Sequence, residues 1–144
     1  MRISISSDPR LLNILRGVVR FRAREAGFSE SDADCLAMAI DEAAANVIRH
    51  TYGGRQDALL ALQISHFEDR LEFILEDWGP KVREDLIRPR PLDEVRPGGL
   101  GTFFIASFVD EFYFDKEFKD GNRLRLVKYR SRKGSDESSS SQSG

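Results

Sequence analysis

Cysteine is almost absent from this sequence, with Cys35 as its single example. One cysteine excludes an internal disulfide, and one cysteine with two histidines shows no zinc-ligand spacing. We therefore expect Cys35 to be an ordinary buried small residue.

Long apolar runs and an excess of one charge are missing too. No run approaches the ~20 apolar residues of a membrane-spanning helix, and the first residues lack the apolar core of a signal peptide. Lys and Arg number 22 against 24 Asp and Glu, so the formal charge is only -2. This balance excludes a broad attraction to nucleic acid or to an anionic membrane. We expect a cytoplasmic protein with no direct nucleic-acid or membrane partner.

The chain is long enough for one compact domain. It has 144 residues, of which 40% are hydrophobic, and domains of roughly 100 to 150 residues are the commonest. Residues 131–144 hold seven serines and no large apolar side chain. Such a segment cannot bury enough surface to fold. We expect a folded domain over residues 1–130 and a disordered serine-rich tail over residues 131–144.

Apolar spacing predicts the order β-α-α-β-β-loop-α-β-β. A strand over residues 2–6 precedes a helix capped at Asp8 and ended by Gly27, and a second helix runs from Ser29 to about residue 51. Alternating apolar residues predict a hairpin over residues 60–75, and residues 80–98 are predicted to form a loop. A third helix over residues 100–109 and two further strands follow, separated by a turn at residues 120–122. This order favours an α+β two-layer sandwich, with helices on one face of a mixed, mainly antiparallel sheet.

The second predicted helix carries a carboxylate and a carboxamide one turn apart, at Glu42 and Asn46. The amide oxygen could ligate Mg²⁺ while the carboxylate deprotonates an incoming hydroxyl. Taken alone, such a pair more often consists of ordinary polar residues on a helix flank.

An Asp-x-Gly turn follows the second strand of the hairpin, at Asp77 and Gly79. A carboxylate there could accept a hydrogen bond from the amino group of adenine, and a glycine would leave room for the base. A plain turn is the alternative, because both residue types are common in turns.

A glycine cluster, Gly98-Gly99-Leu100-Gly101, lies immediately before the third predicted helix. Backbone N–H groups at a helix start can bind phosphate oxygens, and the helix dipole favours their charge. The cluster lacks the lysine of a P-loop. A flexible linker would show the same composition.

Together, in this order, the three motifs resemble those of the Bergerat-fold ATPases, and most closely the anti-sigma factor serine kinases. The likeness extends from the first helix to Tyr129 and includes His50 and Tyr52, which match a His-x-Tyr element, and the segment at residues 121–124, which resembles the final hairpin of that family.

The resemblance implies a role for each motif. Glu42 would be the general base, Asn46 the Mg²⁺ ligand and Asp77 the adenine acceptor, with the glycines around the phosphates under a lid at residues 80–98. Arg96 would neutralise phosphate charge, although a solvated lid arginine is equally compatible with its position. The implied nucleotide-binding residues are Asn46, His50, Asp77, Gly79, Arg96, Gly98, Gly99, Leu100, Gly101 and Thr102.

By the same resemblance, the chain would be an ATP- and Mg²⁺-dependent serine/threonine protein kinase. It would act as an anti-sigma factor that binds a sigma factor and phosphorylates an anti-anti-sigma protein of the STAS type, and it would form a homodimer. The alternative is a nucleotide-gated binding module that sequesters a partner without phosphorylating it, with aromatics such as Phe108 and Tyr113 on its docking surface. Those aromatics have the spacing of core residues, which favours the kinase.

Overall fold

The structure, a computed structural model, describes residues 1–81 and 105–130. Two helices lie between the first and second strands in sequence, and a short helical segment at residues 105–108 precedes the last two strands. The elements are β1 (Arg2–Ser6), α1 (Leu12–Glu25), α2 (Glu30–Asn46), β2 (Leu59–His66), β3 (Arg70–Asp77), β4 (Glu111–Phe114) and β5 (Asn122–Tyr129). A 3-10 turn, Pro9–Leu11, leads into α1, and a π-helical turn, Val47–Thr51, continues α2.

The strands form one sheet in the order β1-β2-β3-β5-β4. All four neighbouring pairs in the described sheet are antiparallel, so the mixed sheet expected from the sequence is not found there. Alternate residues of β3, namely Leu71, Phe73 and Leu75, are fully buried against the helices. The predicted two-layer sandwich is confirmed, with the core between the helix pair and one face of the sheet.

The predicted cap at Ser29 opens α2, whereas the predicted cap at Asp8 opens the 3-10 turn, and α1 itself begins at Leu12 without a side-chain cap. The Asp8 side chain accepts a hydrogen bond from the Arg10 backbone N–H at 2.9 Å, and Pro9 opens the first turn. The Ser29 hydroxyl accepts a hydrogen bond from the Asp32 N–H at 3.0 Å. These caps satisfy backbone donors that a helical turn cannot pair internally, so they fix where the 3-10 turn and α2 begin.

The other face of the sheet carries charged side chains that pair across the strands. Glu76 lies between Arg2 and Arg123, at 2.8 and 2.6 Å. Burial by itself raises the pKa of Glu76, but the hydrogen bonds from Arg2 and Arg123 outweigh it and hold that pKa below its ordinary value. The alternation of apolar and acidic residues in β3 therefore separates a packed face from an ion-paired face.

Three details differ from the sequence-based expectation. Cys35 is only half-buried, because it lies on the side of α2 rather than on the stripe that faces the sheet. Strand β5 begins at Asn122, two residues before the predicted start, because Asn122 still pairs with Asp77. The last helical segment ends at residue 108.

Several expectations fall on residues that the structure does not describe. They are the lid from residue 82 onward, the glycine cluster and the serine-rich tail. Within residues 1–81 and 105–130, no helix is long and apolar enough to span a bilayer.

Gly121 and Gly17 provide a matched test of this packing. A Cβ on Gly121 would lie 2.0 Å from the Asp77 carbonyl oxygen and 2.6 Å from the Trp78 Cα, whereas a Cβ on Gly17, inside α1, would meet nothing within 4 Å. Gly121→Ala should therefore lower the free energy of unfolding by more than about 1 kcal/mol. Gly17→Ala should raise it by about 0.5 to 1 kcal/mol, because alanine is the better helix former. Urea denaturation of both variants measures the two effects, and a neutral Gly121→Ala would contradict the close backbone approach.

Candidate functional site

A buried carboxylate lies at the end of β3. Asp77 lies on the same face of β3 as its buried apolar residues and is 2% exposed. It pairs with Leu60 of β2 and Asn122 of β5. Its Oδ1 accepts hydrogen bonds from the Gly79 N–H and from the Asn122 side-chain amide, each at 2.9 Å. The same amide of Asn122 also donates to the Pro80 carbonyl oxygen at 2.8 Å. Asn122 thus holds both the carboxylate and the chain that leaves β3.

Burial raises the pKa of Asp77, against the opposing effect of hydrogen bonds from Asn122 and Gly79 and of the Lys81 charge. A carboxylate in this setting is a strong hydrogen-bond acceptor, because little water competes for it. It is suited to accepting a hydrogen bond from an N–H donor of a ligand that reaches the strand end.

Tyr52 joins the end of the helical segment to the turn after Asp77. Its hydroxyl accepts a hydrogen bond from the Trp78 N–H at 2.8 Å and donates one to the Leu59 carbonyl oxygen at 2.7 Å. At Gly79, a Cβ would lie 2.5 Å from the Thr51 methyl carbon and 3.1 Å from the Tyr52 ring. The Asp-x-Gly turn therefore requires a glycine because the helix end packs directly against it.

The helix that carries Glu42 and Asn46 ends in an unusual turn. Immediately after Asn46, five residues adopt a π-helix, and the Tyr52 N–H bonds to the Val47 carbonyl oxygen at 2.8 Å. Gly53 and Gly54 then follow with φ of 59° and 88°, backbone angles that residues with a side chain rarely adopt. π turns inside α-helices occur frequently at functional sites.

Glu42 and Asn46 lie one turn apart, as predicted, and the same cation binds both. Nη2 of Arg49 is 2.7 Å from Asn46 Oδ1 and 3.2 Å from Glu42 Oε2. The two oxygens therefore converge on one positively charged group. Side-chain oxygens with this arrangement suit a hard cation such as Mg²⁺.

Within the part of the chain that the structure describes, no group of three or more His, Cys, Asp or Glu residues comes together as a metal site. A Mg²⁺ ion commonly takes one or two protein ligands and completes its shell with phosphate and water. The donor set at Asn46 and Glu42 fits that mode, with the carboxamide oxygen of Asn46 as the ligand from this chain.

An aromatic cluster borders the strand end. Trp78 is 40% exposed, and its ring meets that of Phe118 edge-on with centroids 6.4 Å apart. The Arg123 guanidinium lies over the Phe118 ring at 4.2 Å, and the Lys81 ammonium donates to the Phe118 carbonyl oxygen. The loop between β4 and β5 is thereby held next to the turn that follows Asp77.

The structure brings the end of the helical segment that follows Glu42 and Asn46 into contact with the Asp-x-Gly turn, through Tyr52 and Gly79. His50 is exposed on the π turn. Arg96, Gly98, Gly99, Leu100, Gly101 and Thr102 lie outside the described residues, so their predicted phosphate contacts stay predictions.

Sequence reasoning missed two contacts of this site. It assigned no role to Asn122, although its place after a glycine at the start of the last strand was a usable signal. It also missed Arg49, although an arginine three residues after Asn46 has the i,i+3 spacing at which side chains on a helix meet.

The described residues thus form a helix layer over an antiparallel sheet, with a buried aspartate at the strand end beside the helix terminus. Residues 5–128 match the family of histidine kinase-like ATPase domains. The chain belongs to this family.

Curated relatives within the family share a common name. The Serine-protein kinase RsbW of Bacillus velezensis is 26% identical, over 90% of this chain and 84% of its own length. The protein of the same name from Listeria innocua is 28% identical, over 96% of this chain and 92% of its own length.

Solved structures show the same fold. The RsbU and RsbW domains of Rv1364c from Mycobacterium tuberculosis superpose with a TM-score of 0.61 at 16% identity, over 91% of this chain and 33% of that chain. A histidine kinase domain from Erythrobacter litoralis gives a TM-score of 0.55 at 15% identity, over 83% of this chain and 59% of that chain. This chain thus spans about a third of the mycobacterial chain and somewhat over half of the histidine kinase domain.

The raised pKa of Asp77 has a stability consequence with a definite sign. Because the folded chain binds this proton more tightly than the unfolded chain does, the contribution of Asp77 to stability is complete below its ordinary pKa of 3.8 and is lost as pH rises through the raised value. In Asp77→Asn the carboxamide oxygen can still accept from Gly79 and Asn122, and no charge is buried. The free energy of unfolding of this variant minus that of the parent should therefore increase as pH rises above 4. Urea denaturation at a series of pH values measures this difference.

Asp8→Asn is the control of opposite sign. Hydrogen bonds from Arg10 lower the pKa of Asp8, so its contribution to stability is present above the ordinary pKa of 3.8 and is lost as pH falls through the lowered value. Asparagine is an equally good helix cap. The free energy of unfolding of Asp8→Asn minus that of the parent should therefore decrease as pH rises. If this difference changed in the same direction for both variants, the assigned burial of Asp77 would be contradicted.

Proposed function

We propose that this chain is an ATP- and Mg²⁺-dependent serine/threonine protein kinase that acts as an anti-sigma factor. The observation that carries the proposal is that the helix of Glu42 and Asn46 leads into Tyr52, whose hydroxyl bonds to the turn after the buried Asp77, on a histidine kinase-like ATPase fold. The names of the curated relatives support the kinase activity.

Asp77 selects the base in this proposal. Its buried carboxylate accepts a hydrogen bond from the exocyclic amine of adenine, whereas guanine would present a keto oxygen there and leave two acceptors facing each other. Gly79 leaves room for the ring. This part of the site therefore prefers ATP to GTP.

Asn46 would hold Mg²⁺ through its carboxamide oxygen, and the chemistry that the ion would supply there is neutralisation of phosphate charge. The glycine cluster at residues 98–101 is proposed to bind phosphate oxygens through backbone N–H groups, and Arg96 to neutralise phosphate charge. These residues position the γ-phosphate for in-line attack.

Glu42 is the general base. It accepts the proton of a serine or threonine hydroxyl of the partner protein while the hydroxyl oxygen forms a bond to the γ-phosphorus. The bond from that phosphorus to the oxygen bridging the β- and γ-phosphates breaks, and ADP leaves with the electron pair. Positioning of the reactants accounts for most of the rate enhancement in such transfers. One carboxylate that acts as general base is therefore enough for the proton transfer.

The partners follow from the same proposal. The acceptor is an anti-anti-sigma protein of the STAS type, and a sigma factor is the second partner, bound by a homodimer of this chain in the cytoplasm. Phosphorylation of the anti-anti-sigma protein releases it, and the kinase can then bind the sigma factor. Which partner is bound therefore depends on whether one serine or threonine of the anti-anti-sigma protein is phosphorylated.

A Glu42→Ala variant tests the assigned base. It should keep ATP affinity, because the base contacts the acceptor rather than the nucleotide, and it should lose about 100-fold or more of the phosphoryl-transfer rate. The measurement is transfer of label from γ-labelled ATP to a purified antagonist, with ATP binding followed by calorimetry. Transfer at the parental rate would show that Glu42 is not the base.

Two further measurements test the nucleotide site and distinguish the kinase from a nucleotide-gated binding module. Asp77→Asn should weaken ATP binding at least tenfold, because an amide presents a donor to the amine of adenine. Asp57→Asn, on an exposed loop, is the control and should bind ATP as the parent does. A stable complex of the parental chain with the antagonist, with ATP bound and no label transferred, would favour the module.

A further inference from the structure

One arginine is shared by the two groups of the helix motif. Arg49 lies three residues after Asn46, in the π turn, and its guanidinium reaches back along the helix. A single nitrogen, Nη2, donates to Asn46 Oδ1 at 2.7 Å and lies 3.2 Å from Glu42 Oε2. The Arg49 side chain is 51% exposed, so it can leave this position for water with little loss of packing.

This contact uses the atom that a metal would use. A Mg²⁺ ion binds an oxygen ligand at about 2.0 to 2.1 Å, along the lone pairs that accept hydrogen bonds. A cationic donor 2.7 Å from the same oxygen would face the ion at short range, and like charges repel. The carboxamide oxygen has two lone pairs, but two cations on one oxygen repel each other, so the Arg49 contact opposes binding of the metal at Asn46.

We propose that Arg49 is an intramolecular competitor of Mg²⁺ at Asn46. In the nucleotide-free chain it neutralises Glu42 and occupies the carboxamide oxygen of Asn46, and uptake of ATP with Mg²⁺ requires it to swing away. Arg49 is thus a positioning residue that sets the magnesium concentration at which the chain takes up ATP. This inference rests on the proposed function, because it concerns the same metal position.

The test is calorimetric titration of ATP into the whole chain at a series of Mg²⁺ concentrations. Arg49→Met keeps most of the length of the side chain and removes its charge and donors. The magnesium concentration that gives half of the maximal ATP affinity should fall about two- to fivefold, the range expected for the loss of one exposed polar contact. ATP affinity at saturating Mg²⁺ should stay at the parental value.

Two other variants separate competition from simpler effects. Arg20→Met removes an equal charge from the same helix layer, where Arg20 pairs with Asp34 at 3.0 Å, and it should leave the magnesium dependence unchanged. Arg49→Lys keeps the charge without the planar fork, and its half-saturating magnesium concentration should lie between those of the parent and Arg49→Met.

Three results would overturn the inference. An unchanged half-saturating magnesium concentration in Arg49→Met, with ATP binding intact, would refute the competition and leave the kinase proposal standing. A loss of ATP affinity at saturating Mg²⁺ would show instead that Arg49 binds phosphate. If the parental chain took up no ATP even with Mg²⁺ present, the proposed function and this inference would both fail.

Discussion

Burial of the Asp77 carboxylate is the constraint around which the end of the sheet is built. An ionisable group at 2% exposure is unfavourable unless donors surround it, and here Asn122 and Gly79 supply them. The same Asn122 amide holds the Pro80 carbonyl oxygen, and Gly121 must lack a side chain to let the strands approach. One acceptor thus fixes the start of β5, the turn after β3 and the position of Pro80.

The helix layer is aligned with that acceptor through Tyr52. Because its hydroxyl bonds both to Trp78 and to Leu59, the tyrosine couples the end of the helical segment to two strands. The π turn before it contains Arg49, whose side chain bonds to Asn46. One short segment therefore both contacts the strand end and neutralises the polar pair on the helix.

Periodicity and caps predicted the layers well, because they depend on local rules: Ser29 starts α2 as expected, and Phe73 lies in the core. The pair Glu42 and Asn46 and the turn at Asp77 were also found from spacing. Pairing across the sheet was not, since the contact between Asn122 and Asp77 spans 45 residues. Nor was the π turn, because no residue preference marks it.

Trp78 is the only tryptophan of the chain, and its position gives the molecule an internal optical reporter. The indole follows the buried aspartate directly, is partly open to solvent, and contacts Phe118 of the neighbouring loop. Indole emission responds to the polarity and stacking of its surroundings. Occupancy beside Asp77 and displacement of the loop between β4 and β5 would therefore both register in the intrinsic fluorescence of the unlabelled protein.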